Sequence, residues 1–452
     1  MTIIRSGRFA HVDAKVLILS IGPMSRTVLR EMNKTVKISK MENKQPVIVE
    51  RSGHAVSRKH IDPDALKVLY RLYRHGFKGY LVGGAVRDIL LGKSPKDFDV
   101  ATDARPGQIK KLFANCFLIG RRFRLAHIRF RGGKIIEVAT FRKEPDEAEE
   151  VETESPERNN TFGDPVSDAF RRDITINGLF YDISNFSIID FVGGLSDIER
   201  ERVCIIGDPH ERYTEDPVRI LRVLRHAARL NFSIEEKTAS AVASHRHLLM
   251  QCSGARLFEE LNKDLNSGFS SSVFQLFHKF CVMSCLLGKV GAYFEDTPGA
   301  SEKLFELLGV ADAAAVSGKK LSQDIIYTLL FWYWTEHVIA SDTSREQDKV
   351  KLLGDAFLAL DMTIVIPKSL KAGIIQTSCI LDRMYAAMRT SRMRWSLKKR
   401  ARYTDASIAF SIIEKSRILP AKDPFEEIFR EKYPSAPGRY TRRRSRKKKR
   451  QA

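Results

Sequence analysis

The sequence predicts a chain in two parts, an α/β head whose sheet is at least partly antiparallel and a mostly helical second half. Three observations carry that reading: a strand–glycine–helix–strand alternation from residue 80, two β-rich runs joined at Gly132-Gly133, and 3.6-residue apolar spacing from about Thr214 to the 430s. At 452 residues the chain has room for several domains and can bury ordinary cores without disulfide or metal staples. Its 43% apolar and 29% charged residues are a globular composition, which excludes collagen-like, low-complexity and wholly disordered architectures.

The first 40 residues give no readable element, and either Met1 or Met41 serves as a start. The run Val16 to Ile21 follows Asp13 and Lys15 and lacks a small-residue cleavage site, so no secretory signal is expected. No apolar run reaches the roughly 18–20 residues of a membrane span, so no membrane partner is expected. Six dispersed cysteines show no zinc spacing and point to a reducing, cytoplasmic setting; Cys281 and Cys285, one helical turn apart, read as core packing.

Asp62-Pro63 before Leu66, Leu69, Leu72 and Tyr73 reads as a capped amphipathic helix closed by Gly76. Tyr80 to Val82 is then a short buried strand, Gly83-Gly84 a sharp break, Ala85 to Leu91 a helix, and Asp97 to Val100 a further strand. Leu125–Phe130 and Ile135–Phe141 form a hairpin across the two-residue signal Gly132-Gly133. Eight acids between Glu144 and Arg158 make a surface loop. Nine Lys/Arg without an acid over 438–452 make a disordered arm suited to polyanions, in line with the net charge of +21.

Asp97 and Asp99 lie two apart, which on a strand puts both carboxylates on one face. Magnesium is held by one or two such carboxylates together with substrate phosphates. A glycine pair between strand and helix lets backbone N–H groups approach a phosphate, and Arg87, one turn into that helix, reads as a guanidinium for the same anion. Taken alone, each part also fits a tight turn with surface charges. Glu137 is an acid in the apolar strand Ile135–Ala139, which makes it either a third carboxylate or the partner of an Arg from the helical half. Arg392, Arg394, Lys398, Lys399, Arg400 and Arg402 around Trp395 and Tyr403 suit stacked single-stranded bases, or equally a solvated helix face.

Four ordered motifs then carry a resemblance: Leu81-Val82-Gly83-Gly84-Ala85-Val86-Arg87-Asp88, Asp97-Phe98-Asp99, Arg171-Arg172-Asp173-Ile174-Thr175-Ile176-Asn177, and Glu215-Asp216-Pro217-Val218-Arg219. Residues 61–270 resemble the class II nucleotidyltransferases that extend RNA 3′ ends without a template, the family of bacterial poly(A) polymerases and CCA-adding enzymes. The segments Ile119–Ile128 and Ser253–Glu260 with Lys263, and the basic arm, resemble the poly(A) branch.

The resemblance implies an α+β nucleotidyltransferase head, with a small mixed or antiparallel five-stranded sheet and helices, followed by an all-α neck, body and tail. The expected divisions are an extension (1–60), the head (61–195), a base-reading neck (196–270), an RNA-binding body and tail (271–430) and the arm (431–452). It implies template-independent addition of AMP from ATP to RNA 3′ ends, with two Mg²⁺ ions, or Mn²⁺, on Asp97, Asp99 and Glu137. Asp97, Asp99 and Asp173 would be catalytic. Gly83, Gly84, Arg87 and Arg172 would hold the nucleotide, and Asp216, Arg219 and Arg222 would read its base, although without the family a helical i,i+3 salt bridge explains Asp216 and Arg219. Arg442, Arg443, Arg444, Arg446, Lys447, Lys448, Lys449 and Arg450 would grip RNA. The alternatives are a CCA-adding enzyme and a catalytically silent RNA-binding protein.

Overall fold

The computed structural model describes residues 45–120, 124–143, 162–341, 349–419 and 421–434. The acidic run from Glu144, the basic arm, the first 40 residues, and Arg121 to Phe123 lie outside these.

Eight strands form one mixed sheet: β1 (Val47–Val49), β2 (Gly79–Val82), β3 (Asp99–Thr102), β4 (Cys116–Ile119), β5 (Leu125–Arg129), β6 (Ile135–Thr140), β7 (Leu179–Asp182) and β8 (Ile188–Asp190). Their order is β1-β8-β7-β2-β3-β6-β5-β4, and the β3–β6 neighbours run parallel while the others pair antiparallel. The sheet is thus wider than the five strands expected. One addition, β1, comes from the segment read as an extension: Val47 to Val49 pair with Ile188 to Asp190, and Val56 is fully buried in the head core. A three-residue run has no period of its own, so its place is decided by a partner strand about 140 residues away.

Helix α1 (Pro63–Arg74) starts where the cap predicts it: the Asp62 carboxylate accepts from the N–H groups of Asp64 and Ala65, and Ala65, Val68, Leu69 and Leu72 face the core. The head continues with α2 (Gly84–Leu90), α3 (Pro106–Leu112), α4 (Pro165–Phe170) and α5 (Gly194–Glu199). The β5–β6 hairpin differs from the two-residue turn expected. The Phe130 N–H donates to the Lys134 carbonyl, so Arg131 to Gly133 form a three-residue loop, in which Gly132 and Gly133 both take φ +78°.

Beyond the sheet come α6 (Pro209–Glu215), α7 (Arg219–Leu230), α8 (Glu236–His245) and α9 (Gly254–Leu265), with a two-stranded ribbon of β9 (Arg202–Val203) and β10 (Ser233–Ile234). The remaining helices are α10 (Ser270–Lys279), α11 (Met283–Leu287), α12 (Lys289–Asp296), α13 (Ala300–Val316), α14 (Gln323–Ser341), α15 (Lys349–Leu358), α16 (Lys368–Thr390), α17 (Tyr403–Lys415) and α18 (Pro424–Lys432). The helical second half therefore stands as the periodicity predicts. One apolar core runs from Ile174 through α7 and on to Cys379, so neck and body share it, and a second gathers Leu307, Trp332, Met384, Phe410 and Phe425 in the tail. Cys285 is buried as expected, but Cys281 is exposed at φ +50°, in the break between α10 and α11. Among the described residues no helix is long and apolar enough to cross a membrane.

Candidate active site

The sheet brings three chain segments to one edge. Val82, the last residue of β2, lies opposite Asp99, the first of β3, and Asp99 lies beside Glu137 in the parallel register with β6. The strand expected from Asp97 begins only at Asp99, so Asp99 alone is on the ladder and Asp97 stands in the connector before β3; both side chains reach solvent.

Beside them the chain leaves β2 through Gly83, whose φ of +72° suits glycine, and enters α2 at Gly84. A Cβ on Gly83 would sit 3.3 Å from Arg172 Nη1, and one on Gly84 would sit 3.4 Å from Arg87 Nη2. The missing side chains therefore let two guanidinium groups close on the turn.

Arg172 is anchored by Asp168, to which Nη2 donates at 2.9 Å and Nε at 3.2 Å, and it lies 5.2 Å over the Phe180 ring. Its charge opposes three influences that push the Asp99 carboxyl up to about 6: burial first, then Glu137, then Asp97. Among the described residues no cation forms a salt bridge with Asp97 or Asp99.

Three expectations change here. Glu137 is exposed rather than buried in an apolar strand, and its neighbour is His127, the cross-strand residue on β5, at 3.5 Å rather than an Arg of the helical half. Among the described residues no three His, Cys, Asp or Glu side chains stand as a preassembled group for a metal. Glu137 lies in register with Asp99 and acts on it through its charge.

Arg87 does not face an anion from the surface. Only 1% of it is exposed: Nε and Nη2 donate to Asp88 Oδ1 and Nη1 to Asn177 Oδ1. Helix α7 arrives over it, bringing Arg229 Nη2 to Asp88 Oδ2 at 2.9 Å and His226 Nδ1 to 3.4 Å from Arg87 Nη1. Arg87 is thus a strut beneath the glycine turn. Burial, then the surrounding arginines beginning with Arg87, hold the His226 imidazole far below its usual range, so it is neutral.

Asp173, Arg219 and Arg222 do come together. Arg222 Nη1 meets Asp173 Oδ2 at 2.6 Å, and Arg219 Nε meets Oδ1 at 3.2 Å. The helical Asp216–Arg219 bridge does not form, because α7 begins at Arg219 and Asp216 lies in the extended turn before it. Arg219 pairs instead with Glu215 at 2.8 Å, while Asp216 accepts from Arg256 of α9 at 2.7 Å.

Sequence reasoning missed Asn177, Arg225, His226 and Arg229. The available signal was the stripe Arg219, Arg222, Arg225, Arg229 along one amphipathic helix, which is too regular for a solvated face.

The donor set suits a hard divalent cation. Two carboxylates that form no salt bridge among the described residues, one of them crowded enough to hold its proton to about 6, lie beside a glycine turn. Magnesium takes one or two carboxylates and completes its shell with substrate oxygens, so a pair suffices.

Two family models match the chain: "Poly A polymerase head domain" over residues 79–204, and "Probable RNA and SrmB- binding site of polymerase A" over 231–288. Poly(A) polymerase I of Escherichia coli O157:H7 is 38% identical over 388 residues, covering 84% of this chain and 81% of the relative. This chain belongs to the bacterial poly(A) polymerase family. Within that family, poly(A) polymerase I of Salmonella typhi is 44% identical over 295 residues, 63% of each chain. The match thus spans less than two thirds of that relative's length. The fold is also that of the Bacillus stearothermophilus CCA-adding enzyme in complex with CTP, at 22% identity and a TM-score of 0.58 over 83% of each chain. The head matched by the poly(A) polymerase model contains Gly83, Gly84, Asp97, Asp99, Glu137, Arg172 and Asp173.

Proposed function

We propose that this chain adds AMP from ATP to RNA 3′ ends without a template, releasing pyrophosphate, in the cytoplasm. The observation that carries the reading is the pairing of a glycine turn with two carboxylates that, among the described residues, form no salt bridge with a cation, at one edge of the sheet.

In this reading the backbone at Gly83-Gly84 cradles the triphosphate, and Arg172 adds positive charge to it. Arg87 shapes the turn from below rather than touching the nucleotide. Asp97 and Asp99 would hold the metal, and Mg²⁺ bound there would supply countercharge for the triphosphate and acidity for the attacking hydroxyl. The RNA 3′ oxygen then displaces pyrophosphate in line from the α-phosphate, and catalysis is mainly positioning and charge stabilisation. Asp173 fixes Arg219 and Arg222, whose guanidinium groups, together with the Asp216 carboxylate, present donors and an acceptor to a base edge in place of a template strand. The arm Arg442–Arg450 supplies sequence-independent grip on RNA.

The deciding experiment incubates purified protein and labelled RNA with Mg²⁺ and each NTP separately. A long ladder with ATP alone is expected. A product of one to three nucleotides with CTP favours a CCA-adding enzyme, and no extension with any NTP favours a silent RNA-binding protein.

A further inference from the structure

We propose that Phe117 and Arg129 form a stacking seat for one base of the RNA, upstream of the nucleotide that presents the reacting 3′ oxygen. The seat is placed by register. Phe117 on β4 lies opposite His127 on β5, His127 lies opposite Glu137 on β6, and Glu137 lies beside Asp99 on β3. Residues directly opposite one another across strands point to the same side of a sheet, so these four form one row on the carboxylate face. Three strand spacings put Phe117 about 14 Å from Asp99 along that row.

The other side of the same strands is core. Cys116, Ile128, Ile136 and Val138 are buried there with Val68 and Ile109 of the helices. The carboxylate side is open at its outer end, where Phe117 is 47% exposed and Ile135, opposite Arg129, is 40% exposed. The Arg129 guanidinium lies 4.5 Å from the centre of the Phe117 ring, and Lys110 Nζ, reaching in from α3, lies 5.5 Å from it. An aromatic ring with a guanidinium over it and an aliphatic side chain beside it is a surface on which a base stacks, with cations at hand for the adjoining phosphates. A single exposed phenylalanine would carry no such meaning. This one begins a row that ends on the carboxylate closest to the chemistry.

Stacking also fits the reaction. The nucleotide behind the reacting end is at first whatever base the RNA supplies, and after successive additions it is an adenine. A seat at that place has to accept every base, and a ring does so because every base has a π-face. A protein segment lying on the same patch is the competing occupant, and the two are separated by the base itself.

The proposal rests on the reading that Asp97 and Asp99 act on an RNA end, but it is tested by binding alone, without ATP. The full chain, as wild type, Phe117→Ala and Phe117→Trp, is titrated across a salt series with a labelled single-stranded RNA and with copies lacking one base at each position near the 3′ end. In the wild type, removal of one particular base should weaken binding roughly tenfold, and Phe117→Ala should weaken binding of the intact RNA by a similar factor. The two losses should not add, because the variant has nothing left for that base to stack on. The salt slope should hold, since a ring neutralises no phosphate, and Phe117→Trp should keep the wild-type affinity. Losses that add in full, or no base that matters more than its neighbours, overturn the seat. So does an affinity that survives Phe117→Ala, which would leave the patch to a protein. If Phe117→Ala does not fold, Arg129→Gln takes its place in the same cycle and is judged by the same coupling to the missing base. A protein that shows this coupling yet extends RNA with no NTP removes the adenylyltransferase reading and leaves the seat standing; one that extends RNA without the coupling does the reverse.

Discussion

Two carboxyl groups in this molecule, Asp99 in the cleft and Asp264 on α9, are both pushed up to about 6, and burial is the leading cause for each. Their surroundings differ. Asp264 is fully buried with Arg225 locked onto it, and Arg225 also meets Glu260 at 2.7 Å, so the neck answers its own charge. Asp99 is crowded by the cleft wall yet partly reaches solvent, with Glu137 and Asp97 adding negative charge and Arg172 acting only at a distance. A raised carboxyl is therefore not by itself the mark of a site. What separates the two is whether the missing countercharge comes from the protein or is left to a ligand.

The strongest test of that contrast is Asp99→Asn. AMP incorporation should fall at least about 10³-fold, roughly 4 kcal/mol of transition-state stabilisation, while RNA binding persists. The urea midpoint should not fall, because the substitution removes a crowded charge; near-normal extension, or a clear loss of stability, would erase the distinction.

Next in size is the neck. Arg225→Met leaves Asp264 fully buried without its cation and Glu260 with only Lys263 and Arg222, and should cost about 3–4 kcal/mol in urea unfolding. The same clamp predicts an acid limb. Burial alone would raise Glu260, but Lys263 and Arg225 hold it down at about 2. Its contribution is therefore complete above about pH 4.5 and is lost as the pH falls through about 2, and Glu260→Gln should flatten that limb of a stability–pH curve.

The smallest effect belongs to Arg256→Ala. It releases Asp216 without touching the carboxylates at β3 and should shift the ATP-to-CTP preference several-fold, about 1 kcal/mol, in single-nucleotide incorporation kinetics. No change in preference would mean that Arg256 only packs.

What the sequence shows and what it hides follow from range. The α1 cap at Asp62, the glycine turn and the helical second half are local, set by neighbours within a turn or two, and can be read in advance, whereas the strand expected from Asp97 begins only at Asp99. Arg87 could not be placed in the same way. Position alone leaves a helical residue free to face a ligand or the interior, and it is α7, about 140 residues later, that covers it. Asp216 likewise finds Arg256 forty residues away rather than Arg219 next door. Strand β1 could not be read because three apolar residues fit many places until β8 selects one.

Asp99 opens β3, whereas Asp97 precedes it and is held by the connector from Gly92. The two are thus registered by different rulers, one by the hydrogen-bonded rungs of the sheet and the other by chain length. An insertion between Lys93 and Lys96 would shift both ends of a spacer and leave the spacing of the pair alone, whereas one beside Phe98 would part them by a residue and spoil the grip. In relatives and in engineered versions, length variation in this stretch should therefore crowd upstream of Asp97 and stop short of Phe98.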